Sequence, residues 1–208
     1  MKGTKGSTKG FIGIVAVLAV LCLPATGSCF APMSDAAQIA AAFMTNLAMH
    51  EVGHAAAGTM VGASGVNTSF FNTKNGSFFL GHTEYHNLKQ EGRLPFLVGG
   101  PMMNSYTFDF ALADYDRRPT TYNKALMFFS CTDFLYYSVY ALYISKGNNH
   151  YDPLAIRQET GLSRETILGV ALTQTILNGM RAFNMQDRVV PYFEVDRYWA
   201  SFNLRVSF

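Results

Sequence analysis

The amino-acid sequence predicts a mostly α-helical, multi-helix, membrane-associated domain with a small β-hairpin insertion and a C-terminal strand. Charged residues make up only 14% of the 208 residues, well below the ~25% of ordinary soluble domains. Long stretches contain no Asp, Glu, Lys or Arg, at residues 36–49, 94–108, 134–145 and 166–180. Between the first two lies a region rich in Gly, Asn and Phe, and its Asn75-Gly76 dipeptide indicates a hairpin turn.

The first residues of the chain have the layout of an export signal. Lys2, Lys5 and Lys9 precede an uninterrupted apolar run at residues 11–23, which small residues follow. This order is typical of a secretory signal peptide, and the run is shorter than the ~20 residues that a membrane-spanning helix needs. We therefore expect residues 1–27 to be a signal peptide or an N-terminal anchor, and residues 28–208 to form one domain.

Beyond that segment the charges nearly balance. Without these three lysines, 13 of the 16 Lys and Arg residues remain against 14 Asp and Glu residues, and they form no cluster. Because nucleic-acid binding needs a concentrated positive face, the sequence predicts no nucleic-acid partner. Cys131 is the only cysteine beyond residue 29, which excludes a disulfide framework in the body of the domain.

The composition of residues 34–145 predicts three helices and one hairpin. Ser34-Asp35 is a favourable helix start, and residues 36–62 are rich in Ala and Met without proline, so a first helix is expected there. Residues 63–81 change to Gly, Asn, Thr, Ser and Phe, which predicts the hairpin. Two further apolar helices are expected over 94–113 and 121–145.

The last third begins with a loop at residues 147–149, which are Gly and Asn. Ser163, followed by Glu165 and Thr166, predicts a capped helix that continues to about Phe183. Residues 202–208 alternate apolar and polar side chains, which predicts a strand.

The apolar helices fit two arrangements. None of the charge-free stretches reaches the ~18 residues of a clear membrane-spanning signal, and Asp109 and Asp133 interrupt the middle segments. The helices could belong to a soluble domain with an apolar core, or they could span a membrane with their polar residues facing an interior site. The low charge content favours the membrane.

The strongest chemical signal is His50-Glu51-Val52-Gly53-His54. Two histidines four residues apart share one helix face, about 6 Å apart, which suits two imidazoles binding one zinc ion. Glu51 projects close to the same ion, where it can accept a proton from a water that the metal acidifies. In a helix with almost no other charge, these three polar groups need such a partner.

This motif, with Gly53 at its fourth position and small residues after it, resembles the site-2 protease family of intramembrane zinc metallopeptidases. Members of that family carry the motif on a membrane helix, followed by a Gly- and aromatic-rich hairpin and a helix that begins Gly-Pro-x-x-Asn. Here residues 63–81 match the hairpin and Gly100-Pro101-Met102-Met103-Asn104 matches the second motif. The resemblance covers about residues 34–110 and implies that Asn104 positions the substrate or intermediate near the metal.

The resemblance also implies a third metal ligand on a later helix. The family uses an Asp in a motif that ends Asp-Gly, a dipeptide that this sequence lacks. Asp152 lies downstream of the third apolar helix, as the family pattern requires, and is the preferred candidate; His150 and Asp133 are the alternatives. Asp152 could instead cap a turn before Pro153.

A second group of possible ligands follows the hairpin. His82, Glu84 and His86 would share one face of a strand. They could form a second metal site or supply a ligand to the first, although such residues are more often the solvated face of a hairpin.

Together these observations predict a zinc metallopeptidase-like domain over residues 28–208, which hydrolyses peptide bonds within or near a membrane. His50, His54 and Asp152 would bind Zn²⁺, and Glu51 and Asn104 would be catalytic. The expected partners are membrane lipid and a protein or peptide substrate, including one that spans the membrane. The expected location is a bacterial-type cell membrane or envelope. Two alternatives stay open: a secreted or periplasmic soluble metallopeptidase, and a non-catalytic metal-binding membrane protein that acts through its partners.

Overall fold

A computed structural model describes residues 34–74, 77–145 and 151–207. The predicted signal or anchor at 1–27 and the alternative ligand His150 lie outside these residues. Across the described ranges the chain is mostly helical, with two antiparallel strand pairs, which confirms the predicted fold class. The elements in chain order are α1 Asp35–Met60, β1 Ser64–Lys74, β2 Ser77–His86, a 3₁₀ turn Gln90–Gly92, α2 Arg93–Arg117, α3 Thr121–Val139 with a π-helical extension Tyr140–Ile144, α4 Asp152–Thr160, α5 Arg164–Asn184, β3 Val189–Val195 and β4 Ala200–Val206.

Helices α1 and α2 touch through their backbones. A Cβ atom added at Gly99 would lie 2.5 Å from the Gly53 carbonyl oxygen, and one at Gly53 would collide with the Gly99 carbonyl. Only glycine therefore allows this approach at both positions. The close crossing brings the motif face of α1 directly against the Gly100–Asn104 segment of α2.

The hairpin β1–β2 covers one side of α1. Its strands pair antiparallel, with Thr68 opposite Thr83, and β2 continues to His86, beyond the predicted hairpin region at 63–81. Thr83 is buried and donates a hydrogen bond to the Glu51 side chain on α1. The hairpin is thus fastened to the helix that carries the motif.

Two apolar cores hold the helices together. The first core is formed by residues of helices α2, α3, α4 and α5 and of strand β3. These residues are Val98, Phe134, Leu142, Leu154, Ile156, Ile167, Ala171 and Phe193. The second joins α1, α2 and α3 through Ala42, Phe108, Ala111, Leu112, Leu126, Met127 and Cys131. Cys131 is therefore a small buried core residue, as its apolar surroundings suggest.

Two elements were not predicted. Helix α4 begins at Asp152 with Pro153 in its first turn and ends at Thr160, and the φ of 69° at the following Gly161 suits a glycine cap. Its nine residues are too few and too polar to give a clear helical pattern. The predicted C-terminal strand is the second strand of a hairpin, in which Pro191 of β3 pairs with Leu204. A proline weakens the strand signal of the segment that contains it.

One helix in the described part of the chain, from Thr121 to Ile144, is long and apolar enough to cross a membrane. Large apolar side chains along this helix are exposed, among them Phe128 at 62%, Tyr143 at 50% and Ile144 at 61%. Helix α5 adds exposed Ile176 and Phe183.

Candidate metal centre

His50 and His54 present one nitrogen each to the same point. The two residues lie one turn apart on α1 and are 6% and 3% exposed, respectively. Their Nε2 atoms are 3.0 Å apart. The two imidazoles therefore share one face of α1, as the motif predicts, and Gly100 of α2 lies against both of them.

Asp152 supplies a third electron-pair donor from a distant part of the chain. Its Oδ2 atom lies 3.1 Å from His54 Nε2 and 3.4 Å from His50 Nε2. Asp152 is the first residue of α4, so its side chain points back over α1. The ligand atoms of the three residues lie within 4.8 Å of one another, and this group could hold a metal ion.

The opposite nitrogens of both imidazoles have their own partners. His54 Nδ1–H donates to the Phe96 carbonyl at 2.8 Å, and His50 Nδ1 lies 3.1 Å from Asp133 Oδ2. Each partner accepts a proton from Nδ1, which leaves the lone pair on Nε2. The hydrogen bonds therefore set both rings in the tautomer that can bind a cation.

The carboxyl group of Asp152 is ionised in this arrangement. Burial acts to raise its pKa, but the adjacent His54 and His50 side chains lower the pKa well below the ordinary value for Asp. A carboxylate that stays ionised through the neutral and mildly acidic range is the form that a cation needs.

Asp133 belongs to the surroundings of the site. It lies on α3, and its other oxygen, Oδ1, accepts a hydrogen bond from the buried Asn46 at 3.1 Å. Because Asp133 contacts the Nδ1 side of His50, it orients the ring from behind. It does not join the three converging ligand atoms.

Asn104 lies on α2 beside the same imidazole. Its amide nitrogen is 3.1 Å from His50 Nδ1. The side chain is 1% exposed, and its Oδ1 atom has no hydrogen-bond partner among the described residues. A buried amide oxygen without a partner is costly, and Asn104 does not line either of the two cavities beside Glu51.

Glu51 is held by the hairpin. Its Oε2 atom accepts a 2.7 Å hydrogen bond from the Thr83 hydroxyl, which is itself 2.8 Å from the Thr68 hydroxyl. Its Oε1 atom faces Gly81, where an added Cβ would lie only 2.5 Å away. The carboxylate is 5% exposed, yet it lines two cavities.

Both of these cavities border Glu51. One, of about 370 Å³, borders His50 and Asp133 and has mostly aromatic walls. The other, of about 270 Å³, borders His54 and Asp152. A substrate could therefore reach the Glu51 carboxylate and the converging ligand atoms from either cavity.

The structure brings together all five residues named from the sequence: His50, Glu51, His54, Asn104 and Asp152. In the described parts of the chain, His82, Glu84 and His86 do not form a second metal group. His82 stacks on Phe79 with ring centroids 5.0 Å apart, and His86 is exposed at the end of β2.

Sequence reasoning missed two contributors. Thr83, which holds Glu51, lies between the two strand residues that were considered as ligands, and the alternation of the strand could have pointed to it. Tyr137 lines both cavities, and its ring centroid lies 6.0 Å from that of His50. It lies one turn after Asp133 on α3, a spacing that places both on one face.

Comparisons of the chain with protein-family models, with curated proteins and with solved structures find no match. The resemblance to the site-2 proteases therefore depends on the two sequence motifs alone.

Proposed function

We propose that this protein is a zinc metallopeptidase that hydrolyses peptide bonds within or near a membrane. The observation that carries the proposal is the convergence of His50 Nε2, His54 Nε2 and Asp152 Oδ2, which lie 3.0–3.4 Å from one another. Ligand atoms about 2.0–2.1 Å from a tetrahedral zinc ion are separated by roughly 3.3 Å. Two imidazoles and one carboxylate are also the donor set of several catalytic zinc sites, which keep a fourth position open.

The hydrogen-bond partners of the two imidazoles are also of the kind found in zinc sites. Ligating histidines in zinc sites donate their second N–H to a carboxylate or a backbone carbonyl. Here Asp133 and the Phe96 carbonyl accept from His50 and His54. Gly100 places no side chain of its own against the two Nε2 atoms, whereas a Cβ added there would lie 2.5–2.6 Å from them.

Zinc bound at such a site polarises a peptide carbonyl and makes water a competent nucleophile near neutral pH. Proton transfer and the positioning of the substrate are then the tasks of the protein's own side chains. The Glu51 carboxylate accepts the proton that the attacking water loses and then delivers it to the leaving amine. Thr83 fixes the orientation of that carboxylate through its 2.7 Å hydrogen bond. The buried amide of Asn104 offers its polar atoms to the substrate backbone.

The distribution of apolar side chains supports a membrane location. Exposed Phe128, Tyr143 and Ile144 lie on the helix that is long enough to cross a membrane, and a soluble protein surface rarely exposes so many large apolar groups together. The substrate is then a protein or peptide that reaches this surface, including a membrane-spanning one, and lipid contacts the outer helices. Export by the N-terminal segment would place the protein in a cell membrane or envelope.

Glu51→Gln tests the proposal. Gln keeps the size of the side chain and its contact with Thr83 but cannot accept a proton. We expect one zinc per chain by metal analysis in both proteins, and hydrolysis of a peptide substrate reduced about 10²–10⁴-fold in the variant. Glu194→Gln, at an exposed position of β3 away from the cavities, is the matched control and should be as active as wild type.

Two outcomes would contradict the proposal. If Glu51→Gln hydrolyses a substrate as fast as wild type, Glu51 is not the general base. If the wild-type protein holds zinc but hydrolyses no peptide, the site is non-catalytic and the protein acts through its partners.

A further inference from the structure

The larger cavity beside the metal centre has preformed aromatic walls. Tyr151 packs edge-on against Tyr137 and Tyr140, with ring centroids 5.7 Å and 5.4 Å apart and both pairs of planes at 88°. Phe79 of β2 lies 6.3 Å from the same Tyr151 ring. Edge-to-face packing is a favoured arrangement of aromatic rings, so the rings of this wall support one another without a ligand.

Helix α1 and strand β2 contribute further walls of this cavity. Leu47 lies one turn before Glu51 on α1, and Phe78 and Leu80 of β2 line the outer part. The residues of the site that border it are His50, Glu51 and Asp133. An apolar group in the cavity would therefore lie directly beside the reacting groups.

The smaller cavity carries more polar and charged side chains. His82, Thr83 and Glu84 of β2 border it together with His54 and Asp152, and Tyr85, Phe96 and Leu97 complete its lining. Glu51, Phe79, Gly81 and Tyr137 line both cavities, so Glu51 lies where the aromatic cavity meets this second one, which we call the polar cavity.

Building on the proposed function, we infer that the aromatic cavity is the specificity subsite of the peptidase. It binds a large apolar side chain, aromatic in the best substrates, of the residue next to the bond that is cleaved. The polar cavity receives the peptide on the other side of that bond. A volume of about 370 Å³ is at the lower end of the range for small-molecule sites and suits one aromatic side chain with its backbone.

The inference predicts which substitutions change specificity. Tyr140→Ala removes part of the aromatic wall, and Leu47→Trp fills the cavity from α1. Tyr143→Ala is the matched control, because Tyr143 lies in the same π-helical segment as Tyr140 and is 50% exposed but does not line the cavity.

The test measures binding, so that it does not depend on turnover. Zinc-loaded Glu51→Gln protein in detergent is titrated calorimetrically with acetylated hexapeptide amides, in which Ala or Phe occupies each position in turn. At one position Phe should bind at least about 10-fold more tightly than Ala, the order expected for filling an apolar pocket. Tyr140→Ala and Leu47→Trp, each added to Glu51→Gln, should reduce that ratio to near one, and Tyr143→Ala should keep it.

Equal binding of Phe and Ala peptides at every position would overturn the inference. So would a preference for Phe that survives in both Tyr140→Ala and Leu47→Trp. The zinc content of each variant reports whether its site has folded, and two variants on different helices guard against the failure of one. A wild-type protein that binds Phe peptides in this way but hydrolyses none would contradict the proposed function and leave the subsite standing.

Discussion

Gly100→Ala should weaken metal binding and leave the fold intact. Gly100 lies on α2 opposite the two imidazoles, and an added Cβ would lie 2.5 Å from His54 Nε2 and 2.6 Å from His50 Nε2. A methyl group at this position reaches both nitrogens that we assign as ligand atoms. The atoms that the added Cβ would meet are the tips of the two histidine side chains and not backbone, so the imidazoles can give way while α2 keeps its course.

The size of the effect follows from the contacts. Non-bonded heavy atoms prefer separations of about 3.5–4.0 Å, so each imidazole must retreat by roughly 1 Å. Moving a side chain about 30° off its rotamer costs about 0.5–1.5 kcal/mol. Two such shifts correspond to a metal affinity lowered by roughly 5- to 150-fold, since 1.36 kcal/mol is a factor of ten. The helix itself gains up to about 1 kcal/mol from replacing an interior Gly by Ala.

The assay is competition for zinc against a calibrated chelator, together with thermal unfolding of the metal-free protein. Gly100→Ala should lose affinity for zinc while the metal-free protein melts close to wild type. Gly169→Ala on α5 is the control, because an added Cβ there meets nothing within 4 Å, and it should bind zinc normally. Wild-type affinity in Gly100→Ala would show that these two Nε2 atoms are not the ligands.

Three further predictions test other parts of the site and its setting. Asp152→Ala should abolish zinc binding, whereas Asp133→Asn should weaken it about 10- to 100-fold, as is usual for a residue that orients a ligand; the reverse order in a zinc titration would exchange their roles. Asn104→Ala should lower the kcat for peptide hydrolysis and leave the zinc content unchanged, and loss of zinc would instead assign Asn104 to holding His50. Membranes washed with alkaline carbonate should retain the protein, and its release would favour the soluble peptidase.

The local parts of the site were predictable from the sequence. His50, Glu51 and His54 lie within five residues of one another, so the helical repeat alone decides that the two imidazoles share a face. The N-terminal cap of α5 was predictable for the same reason, and Ser163 accepts a hydrogen bond from the Thr166 amide at 3.1 Å. Both depend on interactions within about one helical turn.

The choice between Asp152 and Asp133 shows where sequence reasoning ends. Both are aspartates downstream of the motif, and each contacts His50. Asp133 reaches Nδ1 because α3 packs behind the ring, whereas Asp152 reaches Nε2 because the short helix α4 begins in front of it. No local pattern distinguishes these two positions, and α4 itself was too short and polar to be predicted.

The sequence by itself determined the helical class, the hairpin and the two-histidine face, because each is encoded by the periodicity of neighbouring residues. Tertiary structure alone decided which acid converges on that face, which hydroxyl holds Glu51, and where the aromatic cavity lies. His54 and Asp152 are 98 positions apart, and Glu51 and Thr83 are 32 apart. Such pairs meet because the helices and the hairpin pack against one another, with Gly53 and Gly99 allowing the backbones of α1 and α2 to touch. Packing of this kind depends on the shapes of all the elements together, which no local stretch of residues contains.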